Sequence, residues 1–183
     1  FRRVFLEQLE DRRLLTGDFG DAPEPYPVTL AEDGARHELT GPQLGSSRDY
    51  ELDGTHSAAA DADAGDDGVT FGTIQVGQLD NTVTVNVQNA PSGAKIDAWI
   101  DFNQDGNWGG AKEKIASSVA VINGGNTIQF HVPANSESGE TFARFRISTA
   151  GGLGIGGAAA DGEVEDYVLT VASPRPTPGV FQI

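Results

Sequence analysis

The chain of 183 residues contains no cysteine and no methionine. Without thiols it forms no disulfide, carries no thiolate nucleophile and builds no thiolate metal site. A secreted domain of this kind has to be held by its apolar core, by ions or by assembly. Cationic side chains are scarce: 12 Lys and Arg stand against 27 Asp and Glu, a formal charge of -15. Such a surface repels nucleic-acid phosphates and anionic lipid, so neither is an expected partner, whereas cations are its natural small ligands. Solubility accounts for scattered carboxylates but not for clustered ones. No apolar run reaches membrane-spanning length, so no membrane span is expected. The missing methionine and the start at Phe1 lead us to expect a processed chain or a fragment.

Catalytic constellations are also lacking. His37, His56 and His131 are far apart, and neither a nucleophile elbow nor a zinc-ligand spacing accompanies them. Paired carboxylates exist, as a glycosidase would need, but short strands offer little scaffold for a substrate cleft. The expectation is a protein that is not an enzyme.

Glycine is abundant, at 24 residues, and it clusters with Asn, Pro and Ser between short apolar runs. From Val69 onward these runs read as strands: VTFGTIQV, NTVTVNVQ, KIDAWIDF, KIASSVAVI, NTIQFHVP, ETFARFRIS and EDYVLTV. Val83, Val85 and Val87 alternate with Thr82, Thr84 and Asn86, which places the two sets on opposite faces. Many short strands without helical segments predict an all-β fold, an antiparallel β-sandwich of jelly-roll or immunoglobulin-like type with long acidic loops. The stretch from Thr16 to Asp67 is richer in turn residues and reads as loop.

Three acidic clusters bear chemistry. In AWIDFNQDGNW, Asp101, Asn103 and Asp105 stand two apart before Gly106, the first half of a calcium loop whose oxygens converge on one ion. The Asn107 carbonyl is a further candidate ligand. The twelfth position is Lys112, so Glu113 is the candidate for the closing carboxylate. An ordinary Asn/Gly turn is the competing reading. In DGEVEDY, Asp161, Glu163, Glu165 and Asp166 fall within six residues, just before the last strand. Such crowding needs a cation, arginine or N–H groups, and Glu163 or Glu165 is expected to meet Arg144, Arg146 or a metal ion. Asp49, Glu51 and Asp53, with Asp66 and Asp67, are candidates for a second cation site; Asp61 and Asp63 read instead as a solvated loop. Trp108 is the candidate exposed aromatic, whereas Trp99 reads as core.

Together GDFGDAPEPY, GARHEL, GPQLGSSRDYELDG, GDDGVTF, AWIDFNQDGNW, ARFRIS and DGEVEDY resemble the GEVED domain over residues 17–172. The resemblance implies a non-catalytic β-sandwich of bacterial extracellular or cell-surface proteins, and it supplies no ligand. Where the family commonly has an acidic stretch after the tryptophan, this chain has GGAKEK.

LEQLEDRRLL, within residues 1–16, is similar to an LExLExRxLL motif of large exported bacterial proteins, which implies targeting or surface sorting. We expect residues 1–16 to form a helical or extended arm, 17–172 a sandwich, and 173–183 a proline-rich tail. Phe5, Leu6, Leu9, Leu14 and Leu15 in the arm, and Val180, Phe181 and Ile183 in the tail, are candidates for docking on another copy. The leading expectation is a calcium-stabilised structural module that self-assembles into a fibre or layer. The alternative is a calcium-dependent adhesion or carbohydrate-binding module of a larger secreted protein, with cell-surface proteins or polysaccharide as partners.

Overall fold

The computed structural model describes residues 17–175. The arm, and residues 176–183, lie outside the described residues, and with them all eight candidate docking residues. Twelve strands follow one another: β1 (Asp18–Phe19), β2 (Arg36–His37), β3 (Gln43–Leu44), β4 (Val69–Phe71), β5 (Ile74–Gln75), β6 (Asn81–Gln88), β7 (Ala94–Ile100), β8 (Lys114–Val121), β9 (Gly124–Phe130), β10 (Gly139–Ser148), β11 (Ala158–Ala159) and β12 (Glu163–Ala172). A single 3-10 turn, Leu30–Glu32, is the helical element among the described residues. The chain is all-β, as expected, and its two larger sheets form a sandwich.

One sheet has five strands in the order β5-β12-β10-β7-β8. In the other, β9 lines one edge of β6 while β3 and β4 share the opposite edge. A small sheet, β1-β2-β11, is the third. The β12–β5 and β2–β11 pairings are parallel, which corrects the expectation of a purely antiparallel fold at these two short edges.

The sheets meet through one apolar cluster. It takes Val83, Val85 and Val87 from β6, Ile96 and Ile100 from β7, Phe145 and Ile147 from β10, and Leu169 and Val171 from β12. In β6 burial alternates residue by residue, the mark of a strand with one dry face. In β7 and β10 it does not: nearly every residue is buried, charged ones included. The second face of the large sheet is covered by the loops before β4 and by the β10–β11 loop. The predicted loop from Thr16 to Asp67 is thus a folded cover containing β1, β2 and β3, and β1 and β2 lie against β12.

Two strand limits differ from the sequence reading. VTFGTIQV splits into β4 and β5, which join different sheets. DGEVEDY does not merely precede the last strand: Glu163, Glu165 and Asp166 lie within β12, hydrogen-bonded to β10. Charges survive there because both faces of β12 meet polar partners at this end.

Candidate metal centre

Strand β7 delivers Asp101 into the loop that follows. Asp101 is fully buried, and its N–H donates to the Phe142 carbonyl at 3.1 Å. Its Oδ2 accepts from the Tyr26 hydroxyl at 2.6 Å and from the Gly106 N–H at 2.9 Å. Asn103 Oδ1 accepts from Asp105 N–H at 3.0 Å, and Asp105 Oδ1 accepts from Asn107 N–H at 3.0 Å. Gly106 turns the chain at φ 78°, a left-handed conformation suited to glycine. Glu113, 1% exposed, closes the loop by accepting from Gly110 N–H at 2.7 Å. Burial pushes its carboxyl up, and the Asp101 and Asp105 charges push the same way. The loop therefore curls Asp101, Asp105 and Glu113 toward one another with like charges in mutual view. Among the described residues, however, these three carboxylates do not gather within 4.8 Å; that closeness belongs to Asp49, Glu51 and Asp63.

On the covered face of the large sheet, the register sets Arg144 opposite Asp166 and Trp99, and Arg146 opposite Val164 and Asp97. Arg144 Nε and Nη2 donate to the two Asp166 oxygens at 2.7 and 2.6 Å, and Nη1 donates to the Pro27 and Ile155 carbonyls. Its guanidinium carbon stands 4.4 Å from the centre of the Trp108 ring. Arg146 donates to the carbonyls of Gly154, Gly156 and Gly157 and to His37 Nε2. Burial pulls the Arg146 group down to about 9, and Arg144 adds to the shift. Both arginines thus pin loops to the sheet. A Cβ on Gly20 would stand 2.6 Å from Arg144 Nη2, so only a bare backbone passes over this ion pair.

Glu163 and Glu165 do not meet either arginine, which corrects the expected pairing. Asp166, one residue on and on the opposite face, is the partner. Glu163 Oε2 instead accepts from Leu44 N–H at 2.5 Å, and Glu165 Oε1 accepts from the N–H groups of Asp67 and Gly68 at 3.0 and 2.8 Å. Asp18 Oδ2 accepts from Val164 N–H at 2.6 Å, and Asp66 Oδ2 from Asp166 N–H at 3.3 Å. Each of these four carboxylates has a second oxygen that is buried without a hydrogen-bond partner among the described residues, as does Asp21. Burial pushes Asp66 up to about 12, Glu163 to about 10, Glu165 to about 8, Glu51 to about 7 and Asp21 to about 6. Neighbouring carboxylates add to each shift. Asp18 is raised strongly by burial, with Asp63 and Glu51 pushing further. Two like charges about 5 Å apart repel by roughly 3 kcal/mol at an effective dielectric constant of about 20.

Asp49 and Glu51 thus come together with Asp63, and Asp66 with Glu165 and Asp166 at β12, where Glu163 is the next along the strand, while Asp53, Asp67 and Asp161 do other work. Asp53 accepts from Leu30 N–H and Asp67 from Ser46 N–H, both on the surface. The Asp161 carboxylate accepts from Thr149 N–H and its carbonyl bonds His37. Asp63 is 9% exposed, which corrects its reading as solvated; Asp61 is exposed and takes a bond from Ser57. Trp108 is 1% exposed, packed on Tyr26 at a centroid distance of 4.2 Å, so it is no exposed aromatic. Trp99 is buried as expected. His131 falls just after β9. Asp18 and Asp21 were not singled out by sequence reasoning; their only signal is the pair of Gly-Asp dipeptides in GDFGD.

Residues 95–170 match the model of the GEVED domain. This segment runs from β7 through most of β12 and carries the Asp101 loop, both arginines and the Glu163–Asp166 stretch. Comparison with curated proteins gave no match, and comparison with solved structures gave none either.

Proposed function

We propose that this chain is a non-catalytic structural module of a bacterial extracellular or cell-surface protein, stabilised by calcium. The observation that carries this reading is how the buried charges are used. Arg144, Arg146 and His37 are each engaged in fastening covering loops to the large sheet. Calcium is assigned to the Asp101 loop, with Asp101, Asn103, Asp105, the Asn107 carbonyl and Glu113 as ligands. Two buried carboxylates, Asp101 and Glu113, bracket the turn that a divalent ion would close. No helix among the described residues is long and apolar enough to cross a membrane.

Calcium bound to the native state alone raises stability by mass action. The test is the melting temperature of the wild-type chain and of Asp101→Ala in EDTA and in millimolar calcium. Calcium should raise the first by several degrees more than the second; an equal response removes the Asp101 loop from the reading.

Self-assembly into a fibre or layer through the arm and the tail is the finer part of the proposal. It rests on their apolar side chains and on the proline-rich composition of SPRPTP, which favours a stiff spacer. Deleting residues 1–15, and separately 174–183, should each reduce the oligomeric mass seen by light scattering. An unchanged mass in both removes assembly. The adhesion or carbohydrate-binding alternative loses its main support with the burial of Trp108.

A further inference from the structure

We propose a second calcium site, separate from the Asp101 loop, formed by Asp49, Glu51 and Asp63 with Asp18 behind them. It lies between the covering loops and the start of β12.

Three independent observations meet here. Asp49, Glu51 and Asp63 each offer a carboxylate oxygen within 4.8 Å of the others. Calcium–oxygen distances of about 2.3–2.6 Å place ligands on opposite sides of one ion about 5 Å apart, so this spacing fits a single coordination sphere. Asp18, fully buried, has Glu51 and Asp63 among its near charges and keeps Oδ1 without a hydrogen-bond partner among the described residues. Its other oxygen is committed to Val164 N–H, which fixes the carboxylate in place. A cavity of about 60 Å³ lined by Gly20, Asp21, Glu51 and Asp63 adjoins the group. That volume admits an ion and its water and excludes most organic ligands.

The charge balance points to a cation. Asp166 is neutralised by Arg144; Arg48 lies near enough for its charge to ease Asp18 and Glu163, but its Nη2 donates to the Gly41 and Pro42 carbonyls and it makes no ion pair with the cluster among the described residues. Glu163, near Asp18, and Asp66, near Asp63, are pushed up chiefly by burial and further by these carboxylates, so they supply no compensating positive charge. All candidate donors are hard oxygens, and no histidine approaches them: His37 is held by Arg146 and Asp161, and His56 by Ala22 and Glu32. An all-oxygen set of this size suits calcium better than zinc or copper.

The site ties the loop holding Glu51 and the loop holding Asp63 to β1. Phe19 N–H donates to Glu51 Oε2 at 3.1 Å, and Ala62 and Asp63 N–H groups donate to Asp21. A bound ion would therefore lock the cover onto the sheet that contains the GEVED-matching segment.

The test uses the full chain carrying Asp101→Ala, so that the first site is silent. Calcium titration by calorimetry should still show one saturable site, and adding Asp63→Asn should weaken it at least tenfold. Melting temperatures give a second readout. Asp18→Asn should raise the melting temperature in EDTA, because it removes a repelled charge, and lower it in calcium, because it removes a ligand. The site is overturned if the Asp101→Ala chain takes up no calcium, if Asp63→Asn leaves uptake unchanged, or if Asp18→Asn shifts melting in the same direction in both buffers. That last result would mean that the carboxyl groups are simply held protonated.

Discussion

Arg144 and Asp166 face each other across β10 and β12 through two parallel hydrogen bonds of 2.7 and 2.6 Å, with both side chains entirely out of water. A buried pair of this geometry is costly to break, because the surviving charge keeps its desolvation penalty and loses its partner. Asp166 also accepts from the Ala22 N–H at 2.9 Å, so the pair anchors the cover as well as the sheet.

Asp166→Asn should therefore cost about 3–5 kcal/mol. Urea denaturation measures it as a fall in the transition midpoint with little change in slope. A loss below 1 kcal/mol would show that Arg144 finds enough carbonyl oxygens on its own.

Trp108 tests the structural reading against the carbohydrate alternative. Its ring lies between Tyr26 and the Arg144 guanidinium, and its indole N–H donates to the Phe142 carbonyl at 3.1 Å. Trp108→Ala should lower stability by about 3–5 kcal/mol, the usual loss for a large aromatic removed from a core. A stable variant that loses binding to soluble polysaccharide would favour the alternative instead.

The Tyr26 hydroxyl links the cover to the Asp101 loop. Tyr26→Phe keeps the ring stack and removes one bond to a buried carboxylate, at 2.6 Å. The expected loss is about 1.5–3 kcal/mol, the range for hydrogen bonds to charged groups. Urea denaturation of the two proteins in the same calcium buffer is the measurement.

The sandwich core was legible in the sequence because its signal is local. Val83, Val85 and Val87 declare a dry face by alternation alone, and burial follows them. The turn at Gly106 was legible for the same reason. The buried carboxylates were not. Asp18 bonds Val164 across 146 residues, and β1 is two residues long, too short to show any period. Alternation along β12 sets Glu165 and Asp166 on opposite faces, but only the β10–β12 register decides which of them meets Arg144. Trp108 looked exposed because it follows an acidic loop, and the cover that buries it comes from residues more than 80 positions earlier.

His37 gives the clearest pH signature. It is 2% exposed; Nδ1 stands 2.8 Å from the Asp161 carbonyl, and Nε2 accepts from Arg146 Nε at 3.0 Å. That pattern fixes the neutral tautomer with its proton on Nδ1. Protonating Nε2 would aim a second positive group at the Arg146 guanidinium. Burial holds the His37 pKa well below 6.5, with the Arg146 charge reinforcing it and Arg48 and Arg144 adding to it; the Asp161 carbonyl opposes them. At this group the native state therefore binds fewer protons than the unfolded chain below about pH 6.5, and its contribution to stability falls as pH drops through that point. For one group the slope is at most about 1.4 kcal/mol per pH unit. Asp21, Glu51 and Glu165, raised to about 6, about 7 and about 8, and Glu163, Asp66 and Asp18, raised further, contribute the opposite slope, so the wild-type profile alone is ambiguous. His37→Gln, whose amide offers both an acceptor and a donor, isolates the effect. Between pH 7 and pH 5 the difference in unfolding free energy between wild type and variant should shrink by about 1–2 kcal/mol, within the limit set by that slope. A pH-independent difference would mean that Arg146 tolerates an imidazolium beside it, and that the neutral His37 assigned from the hydrogen bonds is wrong.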